Sequence, residues 1–537
     1  DSNESMENFI AEFISRMEPT KPDIIQAVRA HQALRYFGRV FRTQGQQNDA
    51  FQRVSFPTEK IDEFWSHSWH GHKLSKILTA FFLYNFKAAA TVSTLGSLLM
   101  LVLFSSGILP DLRLKDPQYP LDSWWCTAVG FFLYFLVAIR WKPWKRIFLD
   151  VLCIDQRNEA EKAAAIVSIG AFLKCSDALL VLWDPSYNHR LWCVFEMAAF
   201  LHSRPANQKA KLIIRPTFLG PCIISMPVAL SCIVIAMVVL PSAALEEVDD
   251  TQAILWPVLG TLVFVGFYLS VATIRAYFRS VETLQKELSQ FVVSDTLCWC
   301  CSQDHRSDSG ESVPCDRRVV LQCITLWFGS VANFEKKVRT EVQESLAEQL
   351  SKEIFTYSQV AASAVPLLWH FMDSASTKLY RDGTVIWRGA ARELVRGLGW
   401  GFGVLPVAFF VTAQLTYLLR RRRAWKLCEV VTNCLILAVC ILIFVAALNV
   451  EQYCWVLEKN LFPNDKADVV RFQWDFLPGT SLFSVMFFVL AATLSIVRRN
   501  FSYVKPVSVQ PEPEELAEAN QETQAARPGL PPQLVSL

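Results

Sequence analysis

The sequence is short of charge. Lys, Arg, Asp and Glu make up 19% of its 537 residues, against roughly a quarter in an ordinary soluble domain. That leaves too little polar material to coat the several domains a water-soluble chain of this length would form. The two signs nearly cancel, 52 basic against 50 acidic, so nothing in the charge balance argues for nucleic acid as a partner. Gly-rich phosphate loops, a Ser-His-Asp set, HExxH and internal repeats are all missing. The first 60 residues hold no apolar signal-peptide core. The opening residue is Asp1 rather than Met, which reads as a fragment or a processed chain.

Apolar residues are what the sequence has instead. They make up 52% of it, with 38 Phe and 17 Trp, and the mean hydropathy is +0.26. This is the balance of a multi-pass membrane protein. A hydrocarbon core about 30 Å thick takes about 20 apolar helical residues. Uncharged runs of that order occupy 88–110, 216–245, 251–274, 397–419, 430–450 and 476–497. A shorter, aromatic run spans 123–139, and a weakly hydrophobic one containing Pro366 spans 354–372. Basic clusters at 140–146 (RWKPWKR), 209–215, 275–279, 420–426 (RRRRAWK) and 498–499 alternate with acidic or mixed loops at 111–122, 246–250 and 451–475. Under the positive-inside rule both termini and the segments 141–218 and 276–353 face the cytosol. Seven spans result if 354–372 does not cross, but a cytosolic 420–423 requires that it does, which favours eight. The loop 373–396 then faces outward with five basic residues, against the rule. Of the 15 Cys, only Cys454 falls in an outer loop, so no disulfide framework exists.

Between the expected spans lies a soluble unit. The run 61–69 (IDEFWSHSW) reads as a strand, 146–155 (RIFLDVLCID) as a buried strand with a turn, 163–174 as a helix and 177–183 as a second buried strand. An amphipathic helix over 191–202 and a third strand over 211–218 follow. Alternating β and α elements with apolar strands point to a parallel sheet covered by helices. The expected order is an N-terminal helical region (1–60), a first strand (61–77), a membrane hairpin (78–140), the rest of the α/β unit (141–218) and a second hairpin (219–275). A cytosolic helical and Cys-rich region (276–353), a C-terminal membrane region (354–498) and a disordered tail (499–537) complete it.

The residues SHSW, CIDQRNEAEK, LLVLW and PSYNHRLWCVFEMAAF, in that order, resemble a Toll/interleukin-1 receptor (TIR) domain. The CIDQ stretch is similar to the core motif of fungal heterokaryon-incompatibility (HET) domains. The resemblance covers about 80 residues, and a membrane hairpin splits it. It departs from the family where the turn after Asp155 lacks the usual glycine and where the last strand–helix unit has no counterpart. TIR domains bind one another, which implies a signalling or scaffold role with other TIR-like domains or a second copy as partners. Some cleave NAD with a glutamate on the helix after the third strand. That role maps onto Glu196 as catalytic residue, with Ser66, Trp69 and Asp155 lining the substrate cleft. The alternative reading is therefore a TIR-type NAD hydrolase, with NAD as substrate. A channel or transporter is a third class, and the clear spans hold no ionisable residue to favour it.

Two clusters bear on metals. His67, His70 and His72 read best as polar residues leaving a strand. Cys298, Cys301, His305 and Cys315 form a CxxC…H…C set within a polar loop, the donor types of tetrahedral zinc, and Cys300 can replace either neighbour. A palmitoylated or simply reduced Cys cluster is the competing reading.

Overall fold

The structure, a computed structural model, describes residues 2–42, 54–110, 123–205, 209–244, 249–306, 313–382, 387–461 and 476–500. The tail after residue 500, the loop 111–122 and residues 462–475 lie outside the described residues. The chain is mostly helical with one small mixed sheet.

Helix α1 (Ser2–Ser15) precedes two short strands, β1 (Gln26–Arg29) and β2 (Phe56–Pro57). The region 1–60 is therefore not wholly helical as expected. Four residues are too few to show a strand period, and β1 owes its state to antiparallel pairing with a strand more than 100 residues away. The sheet proper consists of β3 (Glu63–His67), β4 (Arg146–Phe148), β5 (Leu179–Trp183) and β6 (Leu212–Pro216). The six strands run in the order β2-β1-β4-β3-β5-β6, with β4, β3, β5 and β6 mutually parallel. Every residue of β3 and β5 is buried, which is why LLVLW carries no alternation. Phe64 stacks on Phe148 at 4.4 Å, and Phe148 meets Phe172 at 4.6 Å. The expected strand 146–155 is shorter than its apolar run, because a helical turn, Asp150–Cys153, takes over after three residues.

The helices after these strands tie sheet to bundle. After β3 comes α2 (Lys73–Ser105), 33 residues long and so about 50 Å, against about 30 Å of hydrocarbon. Its first turns pack on the sheet: Tyr84 bonds Trp65 Nε1 at 3.1 Å and the Glu63 carboxylate. Its remainder pairs with α3 (Trp125–Arg140). After β4 come α4 (Glu159–Val167) and α5 (Ile169–Lys174), and after β5 comes α6 (Leu191–His202). After β6 the chain enters α7 (Leu219–Ala244), where Gly220 lies so close to α2 that a Cβ would sit 2.2 Å from the Thr79 nitrogen. The long α8 (Asp249–Ser289), α9 (Asp316–Phe328), α10 (Gln343–Lys352) and α11 (Tyr357–Asp382) follow. Next, α12 (Trp387–Leu398) continues through a π-helical turn into Leu405–Leu418, and α13 (Lys426–Leu461) and α14 (Leu477–Asn500) close the bundle.

Among the described residues five helices are long and apolar enough to cross a bilayer: Lys73–Ser105, Gly260–Ser289, Trp387–Leu418, Lys426–Leu461 and Leu477–Arg498. Two further expected spans appear as shorter apolar helices, Trp125–Arg140 and Leu219–Ile235. The eighth, 354–372, falls on α11, which is not among these apolar helices and packs against α2, α3, α7 and α12. Its weak hydropathy has a physical reason: it meets protein rather than lipid, so Ser363, Asp373, Ser376 and Thr377 are buried on it.

The ionisable residues absent from the expected spans stand one position beyond their edges, and they pair. Arg275, wholly buried, bonds Glu429 and Asn433, each at 2.7 Å. Arg396 grips Glu451 with two bonds of 2.8 Å, and Trp400 adds a third. The Asp373 carboxylate accepts from the Cys126 and Thr127 amides, capping α3 from a neighbouring helix. Lys378 and Arg392 both pair with Glu393, so with Arg396 these basic residues of the loop 373–396 have carboxylate partners.

Candidate functional site

In an open α/β sheet, ligands bind outside the strand carboxyl ends where the strand order reverses. Here that point lies between β3 and β5. Ser66 near the end of β3 is 2.5 Å from Glu196 Oε2 and 2.7 Å from the Tyr187 hydroxyl. Tyr187 comes from the β5–α6 loop, and Glu196 is the acidic residue on the inner face of α6, among Cys193, Phe195, Ala199 and Phe200. Burial pushes the Glu196 carboxyl up to about 8, with the nearby Asp150 charge adding and the Ser66 bond and Arg190 opposing. Glu196 is therefore largely protonated at neutral pH. Beside it, burial brings His67 down to about 3, and Lys76 and Arg190 act the same way. The His67 ring meets Trp69 edge-on at 4.5 Å.

The structure thus brings Glu196 and Ser66 into contact, with Trp69 alongside. Asp155 does not join them: it is exposed and accepts from the Arg157 amide at 2.9 Å. The acid in the cleft is Asp150, bonded to Trp69 Nε1 at 3.2 Å, and burial raises its carboxyl above the ordinary range. Asp150 escapes sequence reasoning because the turn after β4 begins earlier than the apolar run implies, and Tyr187 because it sits in the β5–α6 loop, where spacing does not show which side chain turns back to β3. A polar residue ending a strand was the only available signal. Lys76 and Asp184 form a buried pair at 3.0 Å close by. Gly71 is required there, since a Cβ would come within 2.0 Å of the Asp184 carboxylate. Of the other histidines, His70 contacts Arg190 and His72 caps α2, so the three His do not converge as a metal set.

A second centre lies across the β5–α6 loop. Ligand atoms of Cys300, Cys301, His305 and Cys315 all fall within 4.8 Å of one another. Cys301 Sγ is 3.7 Å from both Cys315 Sγ and His305 Nε2. Two thiolates bound to one zinc at about 2.3 Å in a tetrahedron stand about 3.8 Å apart, so the spacing fits a metal such as zinc. Cys300 replaces Cys298 in this set. Cys298 sits 3.1 Å from Cys300 on the side of Asp316, and Cys300 and Cys301 lie together on the helical turn Trp299–Ser302. Asp304 and His305 are both left-handed, with φ of 50° and 58°.

The two centres are joined. Leu297 pairs with His189 and Leu191 through backbone bonds of 2.6 and 3.3 Å. Trp192 Nε1 donates to Asp316 at 3.3 Å. Glu7 from α1 accepts from the Cys315 amide at 2.8 Å. Between loop and cluster opens a cleft of about 760 Å³ lined by His70, Ser186, His189, Arg190, Trp192 and Trp299. No family model, curated protein or solved structure matches the chain, so its own chemistry carries the functional reading.

Proposed function

We propose that the protein is an integral membrane signalling or scaffold protein whose cytosolic α/β unit, TIR- and HET-like in its motifs, makes protein contacts. The observation that carries this reading is α2, one helix that is both the cover of the sheet after β3 and a candidate span. A tilt of the bundle necessarily moves the sheet, because Thr79 bonds the Thr217 carbonyl and the Gly220 amide at 2.7 and 2.9 Å. Arg215 adds Gln349 at 2.8 Å and Glu353. In this reading both termini are cytosolic, the bilayer is the permanent partner, and a second copy or another TIR-like domain is the transient one. One zinc ion, held by Cys300, Cys301, His305 and Cys315, fixes the β5–α6 loop.

A second reading, NAD cleavage, rests on Glu196. A carboxyl with a pKa near 8 beside a hydroxyl at the switch point can donate a proton, or once ionised steady an oxocarbenium-like ribosyl cation. One experiment separates the two. Detergent-purified wild type and Glu196→Ala are incubated with NAD, and nicotinamide release is followed. No turnover in folded, monodisperse samples is the expected result. Release that disappears in Glu196→Ala replaces the scaffold reading with the enzymatic one.

A further inference from the structure

Where α3 ends, a second cavity opens, of about 590 Å³, on the flank of the sheet away from Glu196. His31 and Arg35 line one wall, Arg140 and Lys142 the other, and Tyr36 and Trp141 stand at its edge. None of the described residues lining it is acidic. The three long cationic side chains are exposed. Burial holds the His31 imidazole below its ordinary pKa against the pull of the Pro143 carbonyl, and Lys142, Arg29 and Arg35 push the same way as burial. The positive field of the cavity is thus felt by a group inside it.

The position is set by two unrelated pieces of chain. Arg140 is the last residue of α3, whose preceding turns expose Phe132, Phe135, Leu136 and Ile139, as a helix facing lipid does. Opposite, Tyr36, Phe37 and Gly38 are successively left-handed, at φ of 52°, 54° and 59°, a turn that is unfavourable for two non-glycine residues. Arg42 bonds the carbonyls of Tyr36 and Phe37 and holds the turn. The turn leaves Tyr36 61% exposed and the exposed Arg35 stacked over its ring. Trp141 and Trp144, 44% and 71% exposed, flank the opposite wall, as aromatic residues do at a headgroup layer.

We propose that this cavity binds the phosphate-bearing headgroup of an anionic phospholipid, drawn from the leaflet in which α3 ends. The proposal rests on the membrane reading above but not on the role of Glu196. The chemistry recognised is a phosphate between Arg35, Arg140 and Lys142. The exposed aromatics and the lipid-facing end of α3 favour a lipid over free phosphate as its source. Basic groups near an anionic membrane surface act through the same attraction.

The test uses the full-length detergent-purified protein and titrates dioctanoyl phosphatidic acid, dioctanoyl phosphatidylcholine and inorganic phosphate by calorimetry. Binding of phosphatidic acid is expected, weakened roughly 30-fold in Arg35→Gln/Lys142→Gln, with neither phosphatidylcholine nor inorganic phosphate competing. Both replaced residues lie at the surface; a melting temperature within about a degree of wild type verifies the fold, and Arg140→Gln alone serves as a second, milder variant. Inorganic phosphate binding as tightly, with the same sensitivity to substitution, overturns the lipid assignment in favour of a soluble phosphate. Phosphatidic acid binding that neither variant weakens, or no binding at all, overturns the site.

Discussion

The Ser66–Glu196 network and the Cys300–Cys315 cluster flank the same loop, and they are held by opposite means. Ser66 sits on a strand paired on both sides, so its position follows from the ladder to Val181 and the ladder to β4. Glu196 sits on a helix with nine of its twelve residues buried. The Cys-rich segment has no such support: a four-residue helix, two left-handed residues and a helix N-cap carry its ligands. Cys300 and Cys315 are buried, but they are carried by these short elements rather than by a ladder or a long packed helix. The comparison teaches that a polar constellation can be placed either by packing, which persists whatever it binds, or by cross-linking, which persists only with the linker.

The largest effect is expected at the cluster. Structural zinc in small modules carries apparent binding free energies of about 10–16 kcal/mol, which is folding energy for the segment that holds it. Protein purified under reducing conditions should contain one zinc per chain by elemental analysis, and Cys301→Ser or Cys315→Ser should remove it. Cys298→Ser should leave it in place, because Cys298 lies outside the four-atom set. Chelation should expose 297–316 to protease while the sheet stays protected. A chelator without effect on that cleavage would sink the cross-linking account.

At the packed centre the expected loss is smaller and comes from hydrogen bonding. Ser66→Ala removes the hydroxyl that bonds Glu196 and one of the two partners of the buried Tyr187 hydroxyl, which keeps the Cys193 carbonyl at 3.4 Å, a loss of about 1–3 kcal/mol. The sheet should melt earlier, and zinc content should not change. If Ser66→Ala also releases zinc, the two centres are one cooperative unit and the comparison fails.

What could be read from the sequence follows the same line. The bounds of α6 and the place of β5 were legible, since LLVLW and LWCVFEMAAFLH are long enough to show their burial pattern. Motif order set Ser66, Trp69 and Glu196 at one end of the sheet, and the structure brings Glu196 onto Ser66 there. Asp150 was not, because whether an apolar run ends as strand or as a helical turn is decided by packing, here after only three paired residues. Cys300 was ambiguous with Cys298 for a similar reason: adjacent cysteines are separated by local turn geometry, which spacing does not encode. The polar α11 was the hardest helix to assign, because hydropathy measures affinity for lipid and α11 packs against four other helices.

A gentler contrast comes from pH. Glu196 titrates near 8 in the fold and near 4.5 when unfolded, so the unfolded chain ionises first and stability falls as pH rises from 4.5 to 8. His67 stays neutral in the fold to about 3 while the unfolded imidazole protonates below 6.5, so stability falls as pH drops from 6.5 to 3. The two slopes cancel between 4.5 and 6.5, leaving a plateau with a limb on each side. Glu196→Gln should abolish the alkaline limb and, with the His67 slope no longer opposed, extend the acid limb up to pH 6.5, which melting temperatures from pH 4.5 to 8 will register. An alkaline limb unchanged in that variant places the titrating group elsewhere.

The smallest effect tests the join between the centres. Trp192 reaches from the first turn of α6 to Asp316, the residue after the ligand Cys315, through one bond of 3.3 Å. Trp192→Phe removes that bond and keeps most of the ring's edge contact with Phe195, now 5.4 Å between centroids. A loss of about 1 kcal/mol is expected with metal bound. Without metal the partner is no longer held, so the same substitution should cost nothing, and the difference is the coupling energy of a cycle between metal and side chain. Packing on the sheet places Glu196 in either state, whereas the bond from Trp192 to Asp316 is expected to hold only while the cluster is cross-linked. An equal cost in both states means that α6 holds the cluster rather than the reverse, and the dependence between the two regions then runs from sheet to cluster.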